Sequence, residues 1–234
     1  SIGKAVMWGR SLYQNIQRFL LFQLTVNVTA CFLVLCGAFM GTESPLTVTQ
    51  MLWINLIMDT FAAMALASLP PSESVMQDKP RNRNAFILNK QMIANIVGVG
   101  GFFFVMLLGL LYIFQHADIH QLTDLLTLQW GEKGHVTAYE LTLLFTIFVM
   151  THFFYLFNAR AFETGRSALH FKGCKGLLTI VAIIMIGQVA MVEIPGLQQF
   201  FNVCGLSLQD WIIIIVGSSL VLWVREGWHL ITKR

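Results

Sequence analysis

Runs of about twenty apolar residues constrain this chain more than any other feature. A helix of that length crosses the roughly 30 Å hydrocarbon core of a bilayer. Six such runs are present, at about 19–40, 46–69, 89–115, 138–158, 176–194 and 208–230. In hydrocarbon each backbone N–H and C=O must be satisfied internally, and for runs of this length the α-helix does so. The predicted fold class is therefore all-α: a polytopic membrane bundle of six transmembrane helices. Composition agrees, since only 12% of the 234 residues are charged, against about 25% in a soluble domain.

Loop charges set the orientation. Lys4, Arg10 and Arg18 precede the bundle; Lys79, Arg81, Arg83 and Lys90 follow the second run; Arg160, Arg166, Lys172 and Lys175 follow the fourth; Arg225, Lys233 and Arg234 close the chain. With six spans, fourteen of the fifteen Lys and Arg fall on one face, and only Lys133 on the other. The positive-inside rule makes that face cytosolic, with both termini inside. The whole chain, 1–234, reads as one membrane domain, with 1–18 as a cytosolic stalk of the first helix and 19–232 as the six-helix bundle. The opening SIGKAVMWGR carries no cleavable leader and reads as the middle of a longer helix, which predicts a larger parent polypeptide. No basic patch interleaves with aromatics on a soluble face, so nucleic acid is not an expected partner. Cys31, Cys36, Cys174 and Cys204 lack a C-x-x-C spacing and read as packing residues. Gly98, Gly100 and Gly101 read as small residues that let two helices approach closely.

The run at 50–71, QMLWINLIMDTFAAMALASLPP, carries Asn55 and Asp59 near its middle. A carboxylate at that depth is costly and marks an ion or proton path. Asn55 and Asp59 are four apart, so a regular α-helix turns them the same way. Counting from the loop between the first two runs, Asn27 and Asp59 each lie about 20 Å deep at 1.5 Å per residue. A hairpin of these helices would thus gather amide and carboxylate oxygens near mid-membrane. Hard cations such as Ca²⁺ take six to eight oxygens, so the hairpin offers part of a site. His152 is the other ionisable residue within a span; it reads as a packing residue or a proton carrier. Gln23 and Gln188 are weaker candidates. Glu140, Glu193 and Asp210 fall at span ends, where water or headgroups would solvate them.

These residues also carry a resemblance. MWGRSLYQNIQRFLLFQLTVNV at 7–28, followed by SPLTVTQMLWINLIMDTFAAMALASLPP at 44–71, resembles the fifth and sixth membrane helices of P-type calcium-transporting ATPases, above all the plasma-membrane type. It continues at Lys79-Pro80, Arg83-Asn84 and Phe157-Asn158-Ala159-Arg160, strongly over the first 90 residues and in layout over the whole chain. The resemblance implies helices five to ten of a ten-helix, multi-pass pump of the plasma membrane that exports Ca²⁺ at the expense of ATP. It implies Asp59, Asn55 and Asn27 as metal ligands, completed by a fourth helix outside this chain. Its partners are then the lipid bilayer and the rest of the pump polypeptide: the actuator, phosphorylation and nucleotide domains and the first four membrane helices.

Ala30, Met58 and His152 stand where two-site calcium pumps carry an acid, a threonine and an acid. The resemblance therefore implies one Ca²⁺ per cycle, proton counter-transport, and a proton-carrying or supporting role for His152. The chain has no DKTGT stretch, so catalytic residues, ATP and Mg²⁺ are expected only in the domains outside it, and the calmodulin-binding tail of animal plasma-membrane pumps is not expected. The oxygen ligands alone leave open a pump for Mn²⁺ or a monovalent cation. A non-catalytic membrane module or passive channel is the alternative of another class.

Overall fold

The computed structural model describes residues 2–41, 46, 48–58, 60, 64, 90–117, 119, 124, 136–160, 175–201 and 203–232. Every regular element among them is helical. The first, α1, runs unbroken over Ile2–Phe39, 38 residues. At 1.5 Å per residue it is about 57 Å long, nearly twice the hydrocarbon thickness. It ends at Gly41, whose φ of 75° turns the chain away in a conformation glycine adopts without a Cβ clash.

Leu21, Phe22, Thr25, Val26, Thr29, Ala30, Leu33 and Gly37 recur at helical spacing and form the buried stripe of α1. This stripe packs on α3 (Lys90–His116) and α4 (Ala138–Arg160). Lipid is as apolar as leucine, so close packing and interhelical hydrogen bonds hold such helices together. At Gly100 an added Cβ would lie 3.7 Å from Thr29 Oγ1 and 3.8 Å from the Thr25 carbonyl. The Thr29 hydroxyl donates to the Thr25 carbonyl at 2.8 Å and lies 3.4 Å from that of Gly100. Of the three glycines expected to mediate close approach, Gly100 does so, whereas Gly98 and Gly101 face open space.

Helix α4 is the centre of the bundle. It touches α1, α3, α5 (Lys175–Glu193), α7 (Leu208–Ser218) and α8 (Leu220–Thr232). Its apolar window is 83% buried, against 28–39% in the other unbroken spans. That shielding explains how a membrane helix carries Thr142, Thr146, Thr151 and His152, all buried. At its C-terminal end Asn158 Nδ2 donates to the Val221 carbonyl of α8 at 3.1 Å. At the other end Thr137 and Glu140 form a capping box: the Thr137 hydroxyl accepts from Glu140 N at 3.3 Å, and the Glu140 carboxylate accepts from Thr137 N at 3.2 Å.

Helices α5 and α6 (Pro195–Phe201) meet at a 90° bend beside Pro195. Proline has no N–H to continue the helical ladder, which makes this a natural break. Helices α7 and α8 are joined at Ser219, and Leu208–Trp228 is long enough to form one span. Four described helices are long and apolar enough to cross a membrane, or five with the α5–α6 pair. The remaining expected span, the second, lies largely outside the described residues. Its described start is α2 (Val48–Leu52) followed by a π-helical segment, Trp53–Met58. Cys31, Cys36 and Cys204 are free thiols, and Cys31 lies exposed on α1 instead of packing inside; Cys174 is outside the described residues.

Of the acidic residues expected to be solvated at span ends, Glu193 is exposed as expected, whereas Glu140 and Asp210 are built into the structure. Glu140 and Asp210 are 0% and 4% exposed. The Tyr139 hydroxyl donates to Asp210, tying α4 to α7. Glu193 accepts from the Leu206 N–H and from Trp211 Nε1, each at 2.9 Å, and so braces the segment between α6 and α7. Thr142 Oγ1, fully buried, accepts from the Cys204 N–H at 2.9 Å.

Thr146, one turn further along α4, is equally buried but its hydroxyl has no partner among the described residues. The contrast is testable with valine, which keeps the shape and removes the hydroxyl. Thr142→Val leaves the Cys204 N–H without its acceptor and should destabilise the fold by about 1–3 kcal/mol. Thr146→Val loses no bond and should be neutral or stabilising. Unfolding midpoints of the two variants in detergent give the comparison.

Candidate cation site

The candidate site grows from the second span. Helix α2 passes directly into the π-helical turn Trp53–Met58, whose backbone bonds run from residue i to i+5. Such turns are rare and recur at functional sites. Asn55 falls inside this turn, in place of the regular α-helix expected there. Asn55 is exposed, while Gln50, Trp53 and Ile54 are buried. The turn therefore points Trp53 and Ile54 into the bundle and leaves the Asn55 amide exposed. Asp59 lies outside the described residues, and with it the expected meeting of Asp59 with Asn55 and Asn27.

The contacts that fix this segment come from the far end of the chain. Gln50 Nε2 donates to the Phe201 carbonyl of α6 at 3.0 Å. Trp53 meets the Phe201 ring edge-on, with centroids 6.1 Å apart. The same indole lies against Gly187 of α5. The hairpin expectation set the second span along α1; its described part leans on α5 and α6.

Asn27 is half-buried on α1, beside the buried stripe of Thr25, Val26, Thr29 and Ala30. Ala30 is 1% exposed and belongs to the apolar core. His152 is fully buried on α4. Its Nδ1 lies 2.8 Å from the Phe148 carbonyl; a carbonyl only accepts, so this nitrogen carries a hydrogen. The ring packs edge-on to Phe103 at 4.9 Å and against Phe148 at 4.4 Å. Close by, Tyr155 contacts both Phe22 and Phe103 and donates to Asn95 Oδ1 at 2.9 Å. His152 thus sits within aromatic packing between α3 and α4.

Two positions of the site region have no forecast from spacing. Gly187 carries no motif, because its role depends on an indole distant in sequence. Gln188 is fully buried with both amide atoms unpartnered among the described residues. Its polarity within an apolar run was visible, but its complete burial was not. Among the described residues no group of three His, Cys, Asp or Glu side chains is placed to hold a metal. What they supply is one amide-bearing π turn and the scaffold behind it.

Comparison with known proteins places this scaffold. Residues 43–231 match the family described as "Cation transporting ATPase, C-terminus". The chain is 34% identical over 230 residues to plasma membrane calcium-transporting ATPase 4 of Homo sapiens, covering 95% of this chain and 18% of the relative. It is 36% identical over 229 residues to plasma membrane calcium-transporting ATPase 2 of Oreochromis mossambicus, with 95% and 20% covered. The same enzyme type 1 of Oryctolagus cuniculus is 36% identical over 230 residues, with 95% and 18% covered. The chain spans about a fifth of the length of these relatives. By this match, and by its bundle of apolar helices, the chain belongs to the cation-transporting ATPase family, of which it represents the C-terminal membrane region.

Proposed function

We propose that this chain is the C-terminal membrane part of an ATP-driven calcium pump of the plasma membrane. In this reading Ca²⁺ enters from the cytosolic side, is held at Asp59 and Asn55 with Asn27 contributing from α1, and leaves on the outer side in exchange for protons. The six spans have both ends in the cytosol, with 1–18 as stalk and 19–232 as bundle. The observation that carries the reading is the π turn at Trp53–Met58. It interrupts an apolar span and presents the Asn55 amide immediately before a carboxylate-bearing residue. The names of the relatives support calcium as the ion.

The charge that this chain offers supports a single Ca²⁺ per cycle. The span at 46–69 holds one carboxylate, Asp59. Ala30, buried in apolar packing, adds none. Two divalent ions at that depth would leave most of their charge uncompensated, which is prohibitive in low dielectric. His152, enclosed by aromatic rings, acts beside the site as a packing or proton-carrying residue. ATP and Mg²⁺ work in the parts of the pump outside this chain.

The test uses the full-length protein in membrane vesicles. Phosphorylation by ATP should depend on micromolar Ca²⁺ and saturate without cooperativity. Equal concentrations of Mn²⁺, or millimolar K⁺, should not substitute. Equal efficacy of Mn²⁺ would reassign the ion, and a Hill coefficient near two would overturn the single-ion reading.

A further inference from the structure

The described contacts of the second span converge on a short stretch at the start of the π turn. Gln50 is bonded to the Phe201 carbonyl, Trp53 packs on the Phe201 ring, and the Trp53 indole lies over Gly187. Both partner residues, Phe201 and Gly187, belong to the elbow formed by α5 and α6. An ideal Cβ built on Gly187 would lie 2.6 Å from Trp53 Cη2 and 3.4 Å from Cζ2. The first distance is closer than real side-chain carbons approach. The indole is not a free end that can swing aside, because it is 7% exposed and held on another side by Phe201. A methyl group at position 187 must therefore move the indole. Trp53 is the first residue of the π turn and precedes Asn55 by two positions, so the displacement passes into the turn that presents the amide.

We propose that the α5–α6 elbow sets the position of the cation site, with Trp53 as the positioning residue and Gly187 as the position that makes room for it. This rests on the reading of Asn55 as a cation ligand, and goes beyond it by assigning control of that ligand to a helix that supplies none. Tight packing transmits such shifts because interiors have little free volume.

Two measurements on the full-length protein test it. In the first, Gly187→Ala should raise the Ca²⁺ concentration for half-maximal phosphorylation by about fivefold to twentyfold, within the range for residues coupled to a site without touching its ligand. The maximal level should stay unchanged. Trp53→Phe removes the outer ring that carries Cη2, so the double variant should return to within about twofold of Trp53→Phe alone. In the second, Asn55→Cys is placed in a chain otherwise free of cysteine, and its labelling rate with a small thiol reagent is recorded. Gly187→Ala should change that rate and Trp53→Phe should restore it, whether or not the protein binds calcium.

An unchanged labelling rate in Gly187→Ala overturns the proposal, as does a double variant no better than Gly187→Ala. If the unaltered protein shows no calcium-dependent phosphorylation, the reading of its function fails while the labelling result still decides the elbow. If Gly187→Ala fails to reach the membrane, rescue by Trp53→Phe supports the contact and failure of both variants overturns it.

Discussion

On the proposed reading, Asp59→Asn in the full-length protein should abolish calcium-dependent phosphorylation by ATP. Asp59 is the only carboxylate in the apolar run at 50–71. Asparagine keeps its size and one oxygen but removes the negative charge. A divalent cation drawn into the membrane loses hydration worth far more than a neutral amide returns. Removing one partner of a buried charge pair costs about 3–5 kcal/mol, or more than a hundredfold in affinity. The experiment is a calcium titration of phosphoenzyme formed from labelled ATP. Normal calcium affinity in the variant would remove Asp59 from the ligand set. Asn55→Ala should weaken affinity less, because it deletes one neutral oxygen from the six to eight that Ca²⁺ accepts.

The second large effect concerns α1. A Gly-Gly insertion after Tyr13 should leave phosphorylation in place and lower calcium transported per ATP by about tenfold or more, since little of the motion would reach the site. Helix α1 is continuous from Ile2 to Phe39, so a movement imposed at its N-terminal end reaches the bundle as a rigid displacement. Two inserted residues turn everything before them by about 200° relative to the bundle. They also add about 1 kcal/mol of helix-breaking tendency each. Ser11 and Asn15, both buried at present and on either side of the insertion, would then face different directions. Uptake and ATP hydrolysis measured together in sealed vesicles give the ratio. An unchanged ratio would show that α1 does not transmit the motion.

The bundle itself was legible in the chain. Apolar runs at 89–115, 138–158 and 176–194 correspond to helices Lys90–His116, Ala138–Arg160 and Lys175–Glu193. Run length alone carries that information, because bilayer thickness sets it. The π turn was not legible. WINLIM carries no residue pattern that distinguishes a π turn from an ordinary apolar α-helix. Pro195 signalled a break, but not the 90° angle of the bend. The roles of Glu140 and Asp210 were partly visible in the patterns Thr137-x-x-Glu140 and Ser207-x-x-Asp210, which are helix starts. Their burial was not, since it depends on which helix covers each end. Gly100 could not be told from Gly98 and Gly101 without knowing which side of α3 meets α1. For the site, residue type singled out Asn55 and Asp59, while the elbow against Gln50 and Trp53 appeared only when helices remote in sequence were brought together.

The enclosure of α4 also bears on how the protein is made. Helices α1 and α3 are more apolar than α4 and expose most of their apolar windows, so each can partition into lipid by itself as it leaves the ribosome. Helix α4 carries Glu140, His152 and several threonines, and polar groups of this kind weaken spontaneous insertion. Its polar groups are covered by neighbours, two of which, α1 and α3, precede it in the chain. The order of synthesis therefore prepares a protein-lined berth before the least self-sufficient helix emerges, and α7 and α8 close it afterwards.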